Sequence, residues 1–303
     1  MAVPMSSESP HKMLWAGVYQ KLLLHAVPDS RFNYDFLQFT PDFRGSTDAV
    51  TRIAELPCYQ SAKTLLVTSD NSLEGLRYRA LKDGKRLLVG TDRLRRGFVV
   101  IDPKNIDKSK LEFAACLDGM EKPGMGRVMS LGQMRDNGYK IDMCALGGLV
   151  FNKQGVVLWE GHALFEVQWA LLQDLRVLDT TAPVIAVAHE CQVVDEAQHG
   201  LDTIRPGKNG EVQCDFVVTP QRVLSVKNAE KHTGGVDFKK VDPDALNNIP
   251  PLQELKGIRM MEHIMSSGGF EKKGEKEEER ETPSAEEQMG IDIVERLMKG
   301  LKG

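Results

Sequence analysis

The sequence predicts an α/β fold, a mainly parallel sheet with helices on both faces. Two observations carry that expectation. Short runs such as Thr64 to Thr68 and Pro183 to Ala188 are apolar along nearly their whole length, the mark of strands buried on both faces. Between such runs lie segments whose apolar residues recur every three to four positions, so strand and helix alternate along the chain.

The chain opens with MAVPMSSESPHK, a polar stretch expected to be a flexible leader over 1–12, with no apolar core of the length a secretion signal needs. Met13, Leu14, Val18, Tyr19, Leu22 and Leu23 then follow helical spacing, and Pro28 closes the segment. Further helices are expected over Thr47 to Leu56, Leu73 to Lys82 and Ala163 to Leu175. Strands are expected over Thr64 to Thr68, Arg86 to Val89, Ile141 to Phe151, Val156 to Trp159, Pro183 to Ala188 and Phe216 to Thr219. The glycines and methionines from Met120 to Met134 suggest a mobile loop near the ligand pocket.

These elements make one domain over 13–252. Beyond it, 253–283 contains EKKGEKEEERE, a mixed-charge run with nothing apolar to bury, and a disordered tether is expected there. Over 284–303, Ser284 with Glu287 forms a capping box ahead of an apolar stripe of Ile293, Val294, Leu297, Met298 and Leu301. That pattern predicts a terminal amphipathic helix, which docks on its own domain or engages a protein partner.

Composition narrows the function classes. In 303 residues, 41% are hydrophobic and the formal charge is −4, which argues against a general nucleic-acid binder. The five cysteines are widely spaced and form no C-x-x-C pair, as expected in a reducing compartment. No apolar run approaches the ~20 residues of a membrane span. A cytoplasmic protein with a small-molecule ligand is expected.

Ligands of parallel sheets bind beyond the carboxyl ends of the strands, here after Val89, Trp159 and Ala188. Arg93, Arg95 and Arg96 follow the first of these, and guanidinium groups there grip a phosphate or carboxylate at two points, unless they are only a solvated loop with surface ion pairs. Gly147 and Gly148 interrupt an apolar run, marking close backbone approach to a ligand or to a packed helix. His162 and Glu166 are four apart and share a helix face, while His189 and Glu190 follow a strand ending at the same edge. Such a set offers general acid–base chemistry or holds a divalent metal, and Cys191 adds a candidate nucleophile.

Four segments, TPDFRGSTDA from Thr40, LRYRALKDGKRLLVGTDRLRRG from Leu76, IDMCALGGLVFNKQGVVLWEGHALFEVQWALL from Ile141 and HECQVVD from His189, resemble the 5-formyltetrahydrofolate cyclo-ligase family. The likeness is strongest to its divergent branch of methenyltetrahydrofolate synthetase domain-containing proteins and runs from roughly Leu14 to Val226. It implies the sheet of the NagB/RpiA/CoA transferase-like fold. It also implies an ATP- and Mg-dependent ligase of one-carbon metabolism that closes 5-formyltetrahydrofolate to the methenyl form, with Lys12, Arg93, Arg95, Gly147, Gly148 and Gly161 about the bound ligands.

In the family, a strand ends in Arg-x-Gly-x-Gly-x-Gly-Tyr-x-Asp, so that a helix N-terminus can receive phosphate on free backbone N–H groups. The equivalent run here, Val157 to Glu166, keeps Gly161 but places Val157 at the arginine, Trp159 at a glycine and Glu160 beside the triphosphate. Where the family has a lysine and an arginine on the first helix, this chain has His11 and Trp15, with Lys12 adjacent. Asp70, Arg77 and Arg79 keep the branch's pattern. These departures predict a degraded ATP site and a family activity weak or lost. Two other readings stand beside it: a repurposed small-molecule enzyme of specialised metabolism, using His162, Glu166 and His189 in the same pocket on a folate-like or other anionic metabolite, and a non-catalytic binding or regulatory homologue.

Overall fold

The computed structural model describes residues 10–29, 34–36, 39–161, 163–206 and 212–266. The chain divides into two compact units, Met1–Pro251 and Leu252–Gly303.

In chain order the helices are α1 (Pro10–Leu22), α2 (Ser46–Ala54), α3 (Pro57–Ser61), α4 (Glu74–Lys82), α5 (Leu111–Ala115), α6 (Leu131–Asp136), α7 (Phe165–Asp174), α8 (Pro243–Asn248) and α9 (Pro250–Ser266). The strands are β1 (Thr64–Val67), β2 (Arg86–Gly90), β3 (Phe98–Ile101), β4 (Arg127–Met129), β5 (Met143–Leu146), β6 (Val150–Asn152), β7 (Val157–Trp159), β8 (Val184–Val187), β9 (Val193–Val194), β10 (Phe216–Val218) and β11 (Val223–Ser225).

Among the described residues, eight strands form one sheet in the order β11-β10-β8-β5-β1-β2-β3-β4. From β10 to β2 the neighbours run parallel, and β11, β3 and β4 add antiparallel edges. The expected α/β class and mainly parallel sheet are therefore present. The apolar strands explain it: Leu65 and Val67 pack with Val50 and Ile53 of α2 and with Leu76 and Ala80 of α4. Leu66, between them on the pleat, is on the other face and is equally buried.

A second, three-stranded sheet, β7-β6-β9, carries α1. Leu14, Val18 and Leu22, one face of that helix, pack with Val150, Leu158 and Val194.

Three expectations need correction. The apolar run Ile141 to Phe151 is not one strand but two, β5 and β6, in different sheets. The chain leaves the large sheet at Gly147, where a Cβ would sit 2.7 Å from the Asp70 side chain, so only glycine fits the crossing. The segment from Met120 to Met134 is not a loose loop beside the pocket: it supplies edge strand β4 and the start of α6, and Met120, Met129 and Met134 are buried. Ser130 explains the helix start, since its hydroxyl accepts the Gln133 N–H while the Gln133 side chain accepts the Ser130 N–H. Finally, 253–266 is helix α9 and not tether, because Leu252 and Leu255 give this charged stretch a buried, apolar first turn. The mixed-charge run, the expected terminal helix and the leader before Pro10 lie outside the described residues.

Candidate functional site

The carboxyl ends of β1, β2 and β5, with the start of α7, gather several buried polar groups of the first unit. Asp70 follows β1 and accepts the Gly147 N–H at 3.0 Å and the Thr68 hydroxyl. Arg77, fully buried, donates to the carbonyls of Ala115 (2.8 Å), Thr68 (2.8 Å) and Asp70 (3.0 Å). Burial lowers its guanidinium to about 10 against the pull of Glu74 and Asp70, so it stays charged at neutral pH. Its role is to tie the turn after β1 to the end of α5. Arg79, two residues on and exposed on the other side of α4, pairs with Asp83 at 2.8 Å. Neither guanidinium is presented to a ligand.

Trp159, at the end of β7, stacks on Trp15 of α1, with ring centroids 5.9 Å apart and planes at 28°. The two residues that replace an arginine and a glycine of the family pattern thus occupy one another's space. Beside them Glu160 turns inward: its carboxyl oxygen accepts the N–H of Phe165, the first residue of α7. Glu160 keeps some exposed surface as a residue, but its carboxyl is enclosed, and burial together with Glu166 and Asp70 raises it to about 8, neutral at pH 7. The N-terminus of α7 thus holds the chain's own carboxyl group.

Gly161 has φ +97, open to glycine alone, and a Cβ there would meet Thr40 Oγ1 at 3.0 Å. Thr40 Oγ1 and Ser72 Oγ, the latter beside Gly147, are buried with no hydrogen-bond partner among the described residues. Gly148 packs on the Phe151 ring, 2.6 Å from where its Cβ would lie. The close approaches at all three glycines are therefore made by the protein's own atoms. Thr40 and Ser72 carried no signal in the sequence, since a lone hydroxyl reads as surface until the fold encloses it.

His189 caps a short 3-10 turn, its Nδ1 accepting the Cys191 N–H at 3.2 Å, which leaves the ring proton on Nε2. Its ring stacks on His25, centroids 4.0 Å apart, with Phe43 edge-on at 5.7 Å. Burial, then His25, holds it below the usual histidine range, while Glu190 opposes the shift. Glu190 is engaged by the Thr219 hydroxyl and by Arg222 at 3.1 Å, and burial pushes the Cys191 thiol up to about 11, far from a reactive thiolate. His162 lies outside the described residues, so its approach to Glu166 and His189 is not defined. Among the described residues, no group of three His, Cys, Asp or Glu side chains is placed to hold a metal ion.

Arg93 and Arg95 do meet a cleft, of about 580 Å³, shared with Leu164, the residue before α7, and with Asp244, Asn248 and Ile249 about α8. Arg93 (φ +50) and Leu164 (φ +54) both hold left-handed backbone, which costs a non-glycine residue on the order of 1 kcal/mol. Such conformations persist where the surroundings fix them, and here two of them border the same cleft. Arg96 points elsewhere and pairs with Glu121. Lys12 is exposed on α1. A larger groove, of about 850 Å³, lies at the opposite, amino edge of the sheet and is lined by none of these candidate residues.

The model of the 5-formyltetrahydrofolate cyclo-ligase family matches residues 27–198. Methenyltetrahydrofolate synthase domain-containing proteins are similar to the chain: that of Danio rerio is 25% identical over 220 residues, covering 72% of this chain and 54% of its own length. That of Mus musculus is 24% identical over 249 residues, covering 79% and 64%. The chain thus spans between half and two thirds of these relatives. The solution structure of 5,10-methenyltetrahydrofolate synthetase from Aquifex aeolicus aligns over 73% of this chain and 95% of its own, at 16% identity and a TM-score of 0.41. No helix among the described residues is long and apolar enough to cross a membrane.

Proposed function

Since the chain belongs to the 5-formyltetrahydrofolate cyclo-ligase family, we propose that it retains the family scaffold with its nucleotide cradle filled, so that ATP-dependent ring closure is weak or absent. The stack of Trp15 on Trp159 carries this reading. A triphosphate needs donors and positive charge at close range, and the place offers two indole rings and a carboxyl group. Were Glu160 to ionise there, it would repel the phosphate it displaces. The residues present do not fit ATP.

What persists is the cleft at Arg93 and Arg95, two cations against the single carboxylate of Asp244. It suits a small anionic metabolite, gripped through planar guanidinium groups. The deciding experiment follows formation of the methenyl product from 5-formyltetrahydrofolate with and without Mg·ATP. The expected outcome is no ATP-dependent product. Turnover that saturates with ATP would sink the reading.

A further inference from the structure

We propose that the groove at the amino edge of the large sheet is a second small-molecule site, built for a phosphate monoester of a planar ring and held by Lys63, Arg86, Arg127 and Tyr139. At about 850 Å³ the groove lies within the roughly 300–1,000 Å³ of ligand sites. Its floor is the start of β1 at Thr64, the start of β2 at Arg86 and the residue before β5, Asp142. From the Arg93–Arg95 cleft it is separated by the length of the strands, about 13–17 Å for four to five residues.

The lining of the groove is electropositive. Four cations, Lys63, Arg86, Arg127 and Lys140, face two carboxylates, Asp102 and Asp142, although the whole chain carries −4. Both carboxylates are already engaged within the protein. Asp142 accepts the backbone N–H groups of Lys63 and Thr64, each at 2.8 Å, and Asp102 accepts the Lys104 N–H at 3.1 Å and pairs with Arg86 at 3.0 Å. Lys140 is turned to the Arg176 carbonyl, at 2.7 Å. Lys63 and Arg127, both exposed, supply the charge for an incoming dianion.

The Arg86 guanidinium lies 5.5 Å from the centre of the Tyr139 ring, a cation–aromatic pair lining the groove. Burial raises the Tyr139 hydroxyl above its ordinary value, which keeps it a neutral donor. At the rim, Gly124 and Gly138 have open space within 4 Å of where a Cβ would lie, so their backbone is accessible from the groove. A planar ring stacks on the pair while its phosphate reaches Lys63 and Arg127.

The test is a titration of the whole chain, 15N-labelled at glycine, with adenosine 5′-monophosphate, inorganic phosphate and adenosine as probes. Gly124, Gly126 and Gly138 report the amino edge, and Gly147 and Gly161 the carboxyl edge. The monophosphate is expected to shift the first three amides saturably at millimolar concentration, phosphate to shift them more weakly, and adenosine to leave them still. Arg127→Glu, an exposed substitution, is expected to weaken the response about tenfold or more, and Arg95→Ala to leave it unchanged. No saturable shift, a shift confined to Gly147 and Gly161, or a response indifferent to Arg127→Glu would overturn the site. Equal saturation by inorganic phosphate would overturn the ring specificity.

Discussion

Trp15 and Trp159 stack with their ring centroids 5.9 Å apart, joining α1 to the end of β7 across the place where the family's pattern puts an arginine and a glycine. Offset aromatic pairs contribute about 0.5–1.5 kcal/mol beyond the area they bury. A double-mutant cycle of Trp15→Ala and Trp159→Ala, read by urea denaturation, should show a coupling of that size. Additive losses would mean that the rings merely share a neighbourhood.

Glu160 governs the alkaline side of stability. Its carboxyl is raised from 4.5 to about 8, so the folded state binds a proton the unfolded chain has released. The native state therefore loses stability as pH rises between these values. Glu160→Gln keeps an oxygen for the Phe165 N–H and has no charge to bury. The variant is expected to match the parent near pH 5 and to exceed it at pH 8.5, by about 1–3 kcal/mol for a partly enclosed group. Parallel stability curves from pH 5 to 8.5 would refute the assignment.

His189 acts on the acid side. Its folded value lies below 6.5, so stability is full above 6.5 and declines as pH falls toward the folded value, where the unfolded chain takes up a proton first. Replacing the ring it stacks on, His25→Asn, should move the His189 titration upward in an NMR pH series. It should not return fully to 6.5, because burial is the larger cause and remains. An unmoved titration would show that the stacked ring does not act on it.

Arg77→Met should cost more than about 3 kcal/mol, since it leaves three buried carbonyls without their donor. Arg79→Met, two residues away on the exposed side of α4, should change stability by less than about 0.5 kcal/mol. The contrast in denaturation midpoint separates the two arginines, which the sequence presents as equivalent.

Gly147→Ala places a methyl group 2.7 Å from Asp70 and 2.8 Å from Ser72 Oγ. A loss of about 1–3 kcal/mol is expected from overpacking. A neutral effect in thermal unfolding would indicate that the turn after β1 yields easily.

The sequence by itself determined the alternation of strand and helix and the parallel centre of the sheet, because apolar runs buried on both faces are written residue by residue. Set beside the family resemblance, it also displayed a departure from the implied phosphate-binding pattern at Val157, Trp159 and Glu160. The edge strands β4 and β11 escaped, since a short strand at a sheet edge has little periodicity of its own, whereas β3, paired on both sides and buried throughout, is as apolar as β1. Only the tertiary structure decided what the replacements do. Trp15 meets Trp159, Glu160 turns onto α7, Arg77 becomes an internal tie, and Lys63, Arg86 and Arg127 converge on one groove. Local pattern fixes which face of an element is apolar, whereas the partner of a given side chain depends on which distant surfaces fill the same space.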